Sequence, residues 1–227
     1  MTLDQNVIEC KTEFTFDELS PEAREKAVEG FVSSLWDDWH SDTIEEWQGK
    51  LVEKGFSNPE IQWSGFWSQG DGASFSCSFH MAGDNAKQFL SEANKTNVLR
   101  FWTELRLDGH QVTDFHVEGN ITTSGSHSHE NTMELEVSDY GLGDGWSSIH
   151  GWPNGNNSET LNDRLSDFNS ALDRDTIEKN ILEYARGLAQ EIYSDLEKEY
   201  EYQTSEENAR ESSLCNDYKY DEYGNLL

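Results

Sequence analysis

Residues Trp63 to His80 read WSGFWSQGDGASFSCSFH. From Ala73 onward the pattern alternates strictly. Ala73, Phe75, Cys77 and Phe79 share one side, and Ser74, Ser76, Ser78 and His80 share the other. A period of two with one apolar side defines a half-buried antiparallel strand. Residues Ile61 to Phe66 form the strand before it, so Gln69-Gly70-Asp71-Gly72 links two strands. Asp-Gly between alternating runs is a strong hairpin signal. A backbone cradle for phosphate or a cation is the functional alternative. The stretch lacks the Lys-Ser/Thr pair of a phosphate loop and does not lead into a helix, so it reads as a turn.

Working outward, the same periodicities assign the rest. Residues 6–16 form a strand or an extended lead-in. Ser20-Pro21-Glu22 opens a helix, with serine as cap and proline at the first position. A second helix runs from about Thr43 to Lys54, and Gly55 stops it. Asn58-Pro59 marks the turn into the strands. Helical segments follow near 85–93 and 96–106. A second hairpin pairs Phe115–Ile121 with Met133–Val137 across TTSGSHSHEN. Asp175 with Glu178 resembles a capping box, and the helix after it reaches about Tyr200. The expected fold is α+β, an antiparallel sheet of about four strands in two hairpins, packed by N-terminal helices and a long C-terminal helix. Its divisions are an α+β core over 1–138, a Gly/Asn/Asp-rich aromatic loop or insertion over 139–175, the long helix over 176–200 and an acidic tail over 201–227.

Charge narrows the function classes. The chain of 227 residues holds 45 Asp and Glu against 16 Lys and Arg, for a net charge of −29. The isoelectric point is near 4.3 and the mean hydropathy is −0.81. Such a surface repels nucleic acid and anionic membranes and favours basic partners or divalent cations. Solubility alone is the plainer explanation of the same charge. Cys10, Cys77 and Cys215 are far apart and odd in number, which argues for a reducing compartment and against a disulfide framework. No apolar run has the length of a membrane span, and no signal peptide is evident. The expected location is the cytoplasm of a bacterial host cell, given the resemblance below.

Three groups of side chains are candidates for function. His127, His129 and Glu130 lie in the second hairpin, where an extended backbone turns residues 127 and 129 to one side. They are a candidate metal site, with a hydrogen-bonded loop as the structural alternative. Trp36, Asp37, Asp38 and Trp39 combine acids with large aromatics, which suits an interaction edge or a core helix with a solvated face. Trp146 and Trp152 lie in the polar loop and suggest a packing surface on this chain or on a partner. No nucleophile elbow or other catalytic constellation stands out, and no cofactor is implied.

Several segments also carry a family resemblance. FDELSPEAREKA (16–27), IQWSGFWSQGDGASF (61–75), HSHENTM (127–133), IYSDLEKEYEYQTSEE (192–207) and NDYKYDEYGN (216–225) occur in this order. Together they resemble an uncharacterised family of tailed-phage and prophage proteins, some of whose members are labelled as antitoxins of a toxin–antitoxin system. The resemblance implies a phage-encoded protein acting in bacterial cytoplasm and supplies no catalytic residues. The leading expectation is a non-enzymatic inhibitor that binds a basic host or anti-phage defence protein, with nucleic-acid mimicry as one route. No direct nucleic-acid or membrane binding is expected, and a homo-oligomer stays open. The alternatives are a nucleotide sponge stacking bases on Trp63, Phe66, Trp67 and Trp146, an antitoxin, and a metal-dependent enzyme at the His127/His129 hairpin.

Overall fold

A computed structural model describes residues 12–35, 38–108, 112–125, 127–143 and 158–227. Two compact units divide the chain, one built from residues 1–43 and 195–227 and the other from residues 44–194. The fold is α+β, with seven helices and one four-stranded antiparallel sheet among the described residues. The unit boundaries fall inside two helices, α2 (Ser41–Glu53) and α6 (Arg174–Gln203).

The larger unit is the sheet and its helices. Strands β1 (Phe56–Trp63), β2 (Ala73–Ala82), β3 (His116–Thr123) and β4 (Met133–Gly141) lie in sequence order. The alternation in β2 is as expected, with Phe75, Cys77, Phe79 and Met81 buried and Ser78 and His80 exposed. Ser74 departs from it and is buried as well. Strand β1 starts five residues earlier than expected, and residues 64–66 already belong to the following loop. Asn58-Pro59 therefore lies within the strand. A bulge between Ser57 and Glu60 takes up the irregularity, with Asn58 at φ +50 and Pro59 buried. A bulge tolerates proline because the local ladder is already broken.

Helices cover the apolar side of this sheet. Residues Ile177, Ile181, Ala185, Leu188 and Ile192 of α6 are buried at helical spacing. Tyr184 of the same helix stacks on Phe56, with ring centroids 6.3 Å apart. Asn180 Nδ2 donates to the Phe89 carbonyl at 2.8 Å, between the short helix α3 (Asp84–Lys87) and α4 (Glu92–Leu107). Among the described residues no helix is long and apolar enough to cross a membrane.

Two local expectations shift. The cap of α6 is Asp173, which accepts from the Thr176 N–H at 3.2 Å and the Thr176 hydroxyl at 2.6 Å. These bonds hold the Asp173 carboxyl below its usual range. Asp175 lies inside the helix, and Glu178 pairs with Arg174 at 2.6 Å instead of closing a capping box. The segment 139–175 is also not all loop. Helix α5 (Ser158–Ser170) buries Leu161 and Leu165, and its Phe168 stacks on Phe101 of α4 with centroids 4.2 Å apart. Its apolar residues are few and set among Asn, Asp and Ser, so composition hides the helical spacing.

The smaller unit joins the two ends of the chain. Helix α1 (Pro21–Ser33) starts as expected, with the Ser20 hydroxyl accepting from the Ala23 N–H at 3.2 Å and Pro21 in the first turn. Helix α7 (Glu206–Cys215) occupies the segment expected as an acidic tail, capped by Ser205. Residues Phe16, Leu19, Ala23, Ala27, Ala209 and Tyr220 form one buried cluster. Phe14 and Tyr220 exchange two backbone hydrogen bonds of 2.9 Å. Of the expected lead-in strand, only this short end lies among the described residues. Gly224, at φ +84, approaches the Ala23 carbonyl so closely that any Cβ would collide with it.

Candidate functional site

The QGDG and HSH segments meet in the larger unit. Residues 64–72 make a wider loop than a two-residue hairpin. Asp71 organises it, because one carboxylate oxygen accepts from the Trp67 N–H at 2.9 Å and the Ser68 N–H at 2.6 Å. Asparagine-like capping of a turn by its own aspartate is a common device. Gly72 touches the other hairpin, since an added Cβ would stand 3.1 Å from His129 Cδ2 and 3.2 Å from the Ser128 oxygen. The turn reading holds, and the loop also buttresses residues 128–129.

That packing gives His129 and Glu130 structural partners. His129 caps the short helical turn Glu130–Thr132, its Nδ1 accepting from the Asn131 N–H at 3.1 Å. The same nitrogen lies 2.9 Å from Glu130 Oε2. The two contacts need opposite protonation of Nδ1, a bare nitrogen for the cap and a protonated one for the carboxylate. The cap is the better-defined contact, because the Asn131 N–H always carries its proton. Glu130 Oε1 accepts from Gln190 Nε2 at 3.0 Å, and Arg186 donates to the Glu130 and Met133 carbonyls. His127 is exposed. Among the described residues no group of three or more His, Cys, Asp or Glu is gathered to hold a metal ion. His127, His129 and Glu130 thus serve as a hairpin tip braced on α6.

The aromatic faces of the first hairpin are engaged too. Trp63 stacks on Phe66 with centroids 5.4 Å apart, and Phe66 packs on Tyr193 at 5.4 Å. Trp67 is 78% exposed. On the open side of the sheet, His80 Nδ1 lies 3.3 Å from Glu118 and His116 Nε2 lies 3.1 Å from Asp139. The two imidazoles stack with centroids 6.2 Å apart. This cross-strand ladder depends on register between β2, β3 and β4, and residues 38 positions apart give no local signal of it.

The smaller unit holds the densest charge. Residues 1–43 and 195–227 carry 21 acidic against 6 basic side chains, a net −15 of the total −29 in about a third of the chain. Asp38 is exposed, and Trp39 packs edge-on against Tyr200 at 5.4 Å. Trp39 thus acts within this unit as a packing residue. Trp36, Asp37, Trp146 and Trp152 lie outside the described residues. Around the α6–α7 corner, the Tyr202 hydroxyl donates to Glu211 at 3.3 Å. The Glu211 carboxylate, and more weakly those of Glu207 and Glu199, hold the Tyr202 phenol above its ordinary value.

A cleft of about 750 Å³ opens in this unit between the ends of α1 and α7 and the C-terminal turn. Phe31, Ser33, Ser34, Ser212, Asn216 and Tyr218 are among its lining residues. Both helices end here. Ser33 and Ser34 hydroxyls donate to the Gly30 and Phe31 carbonyls at 2.8 and 2.7 Å, and Asn216 Nδ2 donates to the Ser212 carbonyl at 2.8 Å. Composition alone flagged the acidity of this region but not the cleft, whose walls come from opposite ends of the chain.

These features define an acidic α+β protein whose charge is concentrated where its termini pack together. The chain belongs to a family described as a domain of unknown function, DUF8835, which it matches over residues 39–206. The matched span includes the whole sheet and α6, while the cleft residues lie outside it. No curated protein and no solved structure matches the chain.

Proposed function

We propose that this chain is a non-enzymatic binding protein that covers a basic surface on another protein, acting as a phage-encoded inhibitor of a host or anti-phage defence protein. The observation that carries the reading is the charge of residues 1–43 and 195–227, 21 acidic against 6 basic. Exposed carboxylates on α1, α7 and the end of α6, including Glu22, Glu25, Glu29, Glu201, Glu207 and Glu211, supply the contact chemistry. Charges arranged in this way raise association rates with a basic partner and set its orientation. Nucleic-acid mimicry is the narrower version, in which these carboxylates occupy a Lys/Arg-lined channel.

Affinity purification from infected cells at low and high salt tests the reading. The expected result is a basic protein recovered at low salt and lost as screening shortens the range of the attraction. Recovery of no protein partner, together with intact activity of every defence system tested, would overturn it. Binding that survives high salt would remove only the mimicry version.

A further inference from the structure

The cleft between α1, α7 and the C-terminal turn has the chemistry of a cation receptor. The peptide dipoles of a helix place roughly half a negative charge at its C-terminus. Helices α1 and α7 have 13 and 10 residues, and residues from the C-terminal end of each line the cleft. Glu29 is on the same wall. Lys26 also lines the cleft, but its charge faces the Asp221 carboxylate, which it helps to hold below the usual range after the hydrogen bonds from Asn225 and the burial term. Phe31 and Tyr218 add aromatic surface, and Tyr218 is 37% exposed. A planar cation gains most from such a site, because it stacks on rings and donates several hydrogen bonds in one plane.

We infer that this cleft receives an arginine guanidinium presented by a basic partner. The inference rests on the binding role proposed above and assigns it an anchor point. Around an interface of diffuse charge, one side chain buried in a pocket contributes most of the specificity. The cleft supplies that pocket, and the acidic surface outside it supplies attraction at longer range.

Two glycines provide a matched test. Gly30 lines the cleft, Gly49 lies on α2 in the other unit, and a Cβ at either meets nothing within 4 Å. Gly30→Arg and Gly49→Arg therefore change net charge equally, and both favour the helix. Binding of a hexa-arginine peptide to the full chain is measured by calorimetry at low salt for the wild type and both variants. Gly30→Arg is expected to weaken binding about tenfold or more, and Gly49→Arg to leave it within about twofold. Backbone amides of Gly30, Ser34 and Tyr218 are expected to shift in the NMR spectrum of the wild type on titration. Equal weakening in the two variants would overturn the cleft and leave the acidic-surface reading standing. Equal affinity for hexa-lysine, equally sensitive to Gly30→Arg, would overturn the choice of guanidinium. No peptide binding by the wild type would overturn the cleft and the electrostatic reading together.

Discussion

Arg210 donates to both carboxylate oxygens of Asp17, at 2.6 and 3.0 Å, across 193 positions of sequence. The pair joins α7 to the turn before α1, and the Arg210 hydrogen bond holds the Asp17 carboxyl below its usual range. A carboxyl depressed in the folded state contributes stability above its unfolded pKa, and that contribution is lost as pH falls through the folded value. Asp17→Asn is therefore expected to lower the urea midpoint of the smaller unit at pH 7. The difference from wild type should shrink below about pH 4, near the unperturbed aspartate value. Arg210→Gln should match it, and the double variant should be no worse than either, because both remove one interaction.

Tyr220 is the next joint. Its hydroxyl lies 2.6 Å from Ser213 Oγ, both groups are buried, and its ring meets Phe16 edge-on at 6.1 Å. Tyr220→Phe is expected to cost about 0.5–1.5 kcal/mol, the net worth of one hydrogen bond. Ser213 keeps a partner in the Ala209 carbonyl at 2.6 Å. Tyr220→Ala should cost about 3–5 kcal/mol through the cavity left against Phe16. Chemical denaturation read by tyrosine and tryptophan fluorescence checks both, and equal losses for the two variants would contradict the packing role.

The two described cysteines should separate by reactivity. Cys77 is buried on the apolar side of β2, and burial pushes its thiol up to about 12. Cys215 is exposed at the end of α7. In a Cys10→Ser background at pH 8, iodoacetamide is expected to modify Cys215 within minutes and Cys77 only on unfolding, since the thiolate is the reactive form. Peptide mapping by mass spectrometry reads the order directly.

Gly72 tests the contact between the two hairpins. Its nearest neighbours are backbone and ring atoms of Ser128 and His129, which cannot swing away as a flexible side chain would. Gly72→Val is expected to destabilise the larger unit by about 1–3 kcal/mol, the usual cost of overpacking. Gly70→Ala isolates the loop's own conformational need, because Gly70 stands at φ +98 with open space around it. A smaller loss there would locate the larger effect at the hairpin contact.

Much of the architecture was legible because its signals are local. The alternation of Phe75, Cys77 and Phe79 defines a strand from any ten-residue window. Ser20-Pro21 marks the first helix in the same way, by chemistry confined to one turn. The start of α6 was misplaced because Asp173 and Asp175 offer the same side chain two residues apart, and only Thr176 decides between them. Helix α5 was missed for a different reason. Its few apolar residues gain meaning when Phe168 meets Phe101, 67 positions away.

The candidate site divides along the same line. Acidity and its bias toward the end of the chain follow from residue counts, and so does the surface field they create. The roles of His129 and Glu130 do not, since a metal site and a braced turn need the same residue types and differ only in where Arg186 and Gln190 lie. By itself the sequence determined an α+β fold, a four-stranded sheet and a strongly negative surface, because period, capping and charge act over a few residues. Tertiary structure alone decided that residues 16–35 and 206–226 build one unit with a cleft, because the Phe14–Tyr220 bridge and the Asp17–Arg210 pair close nearly the full length of the chain.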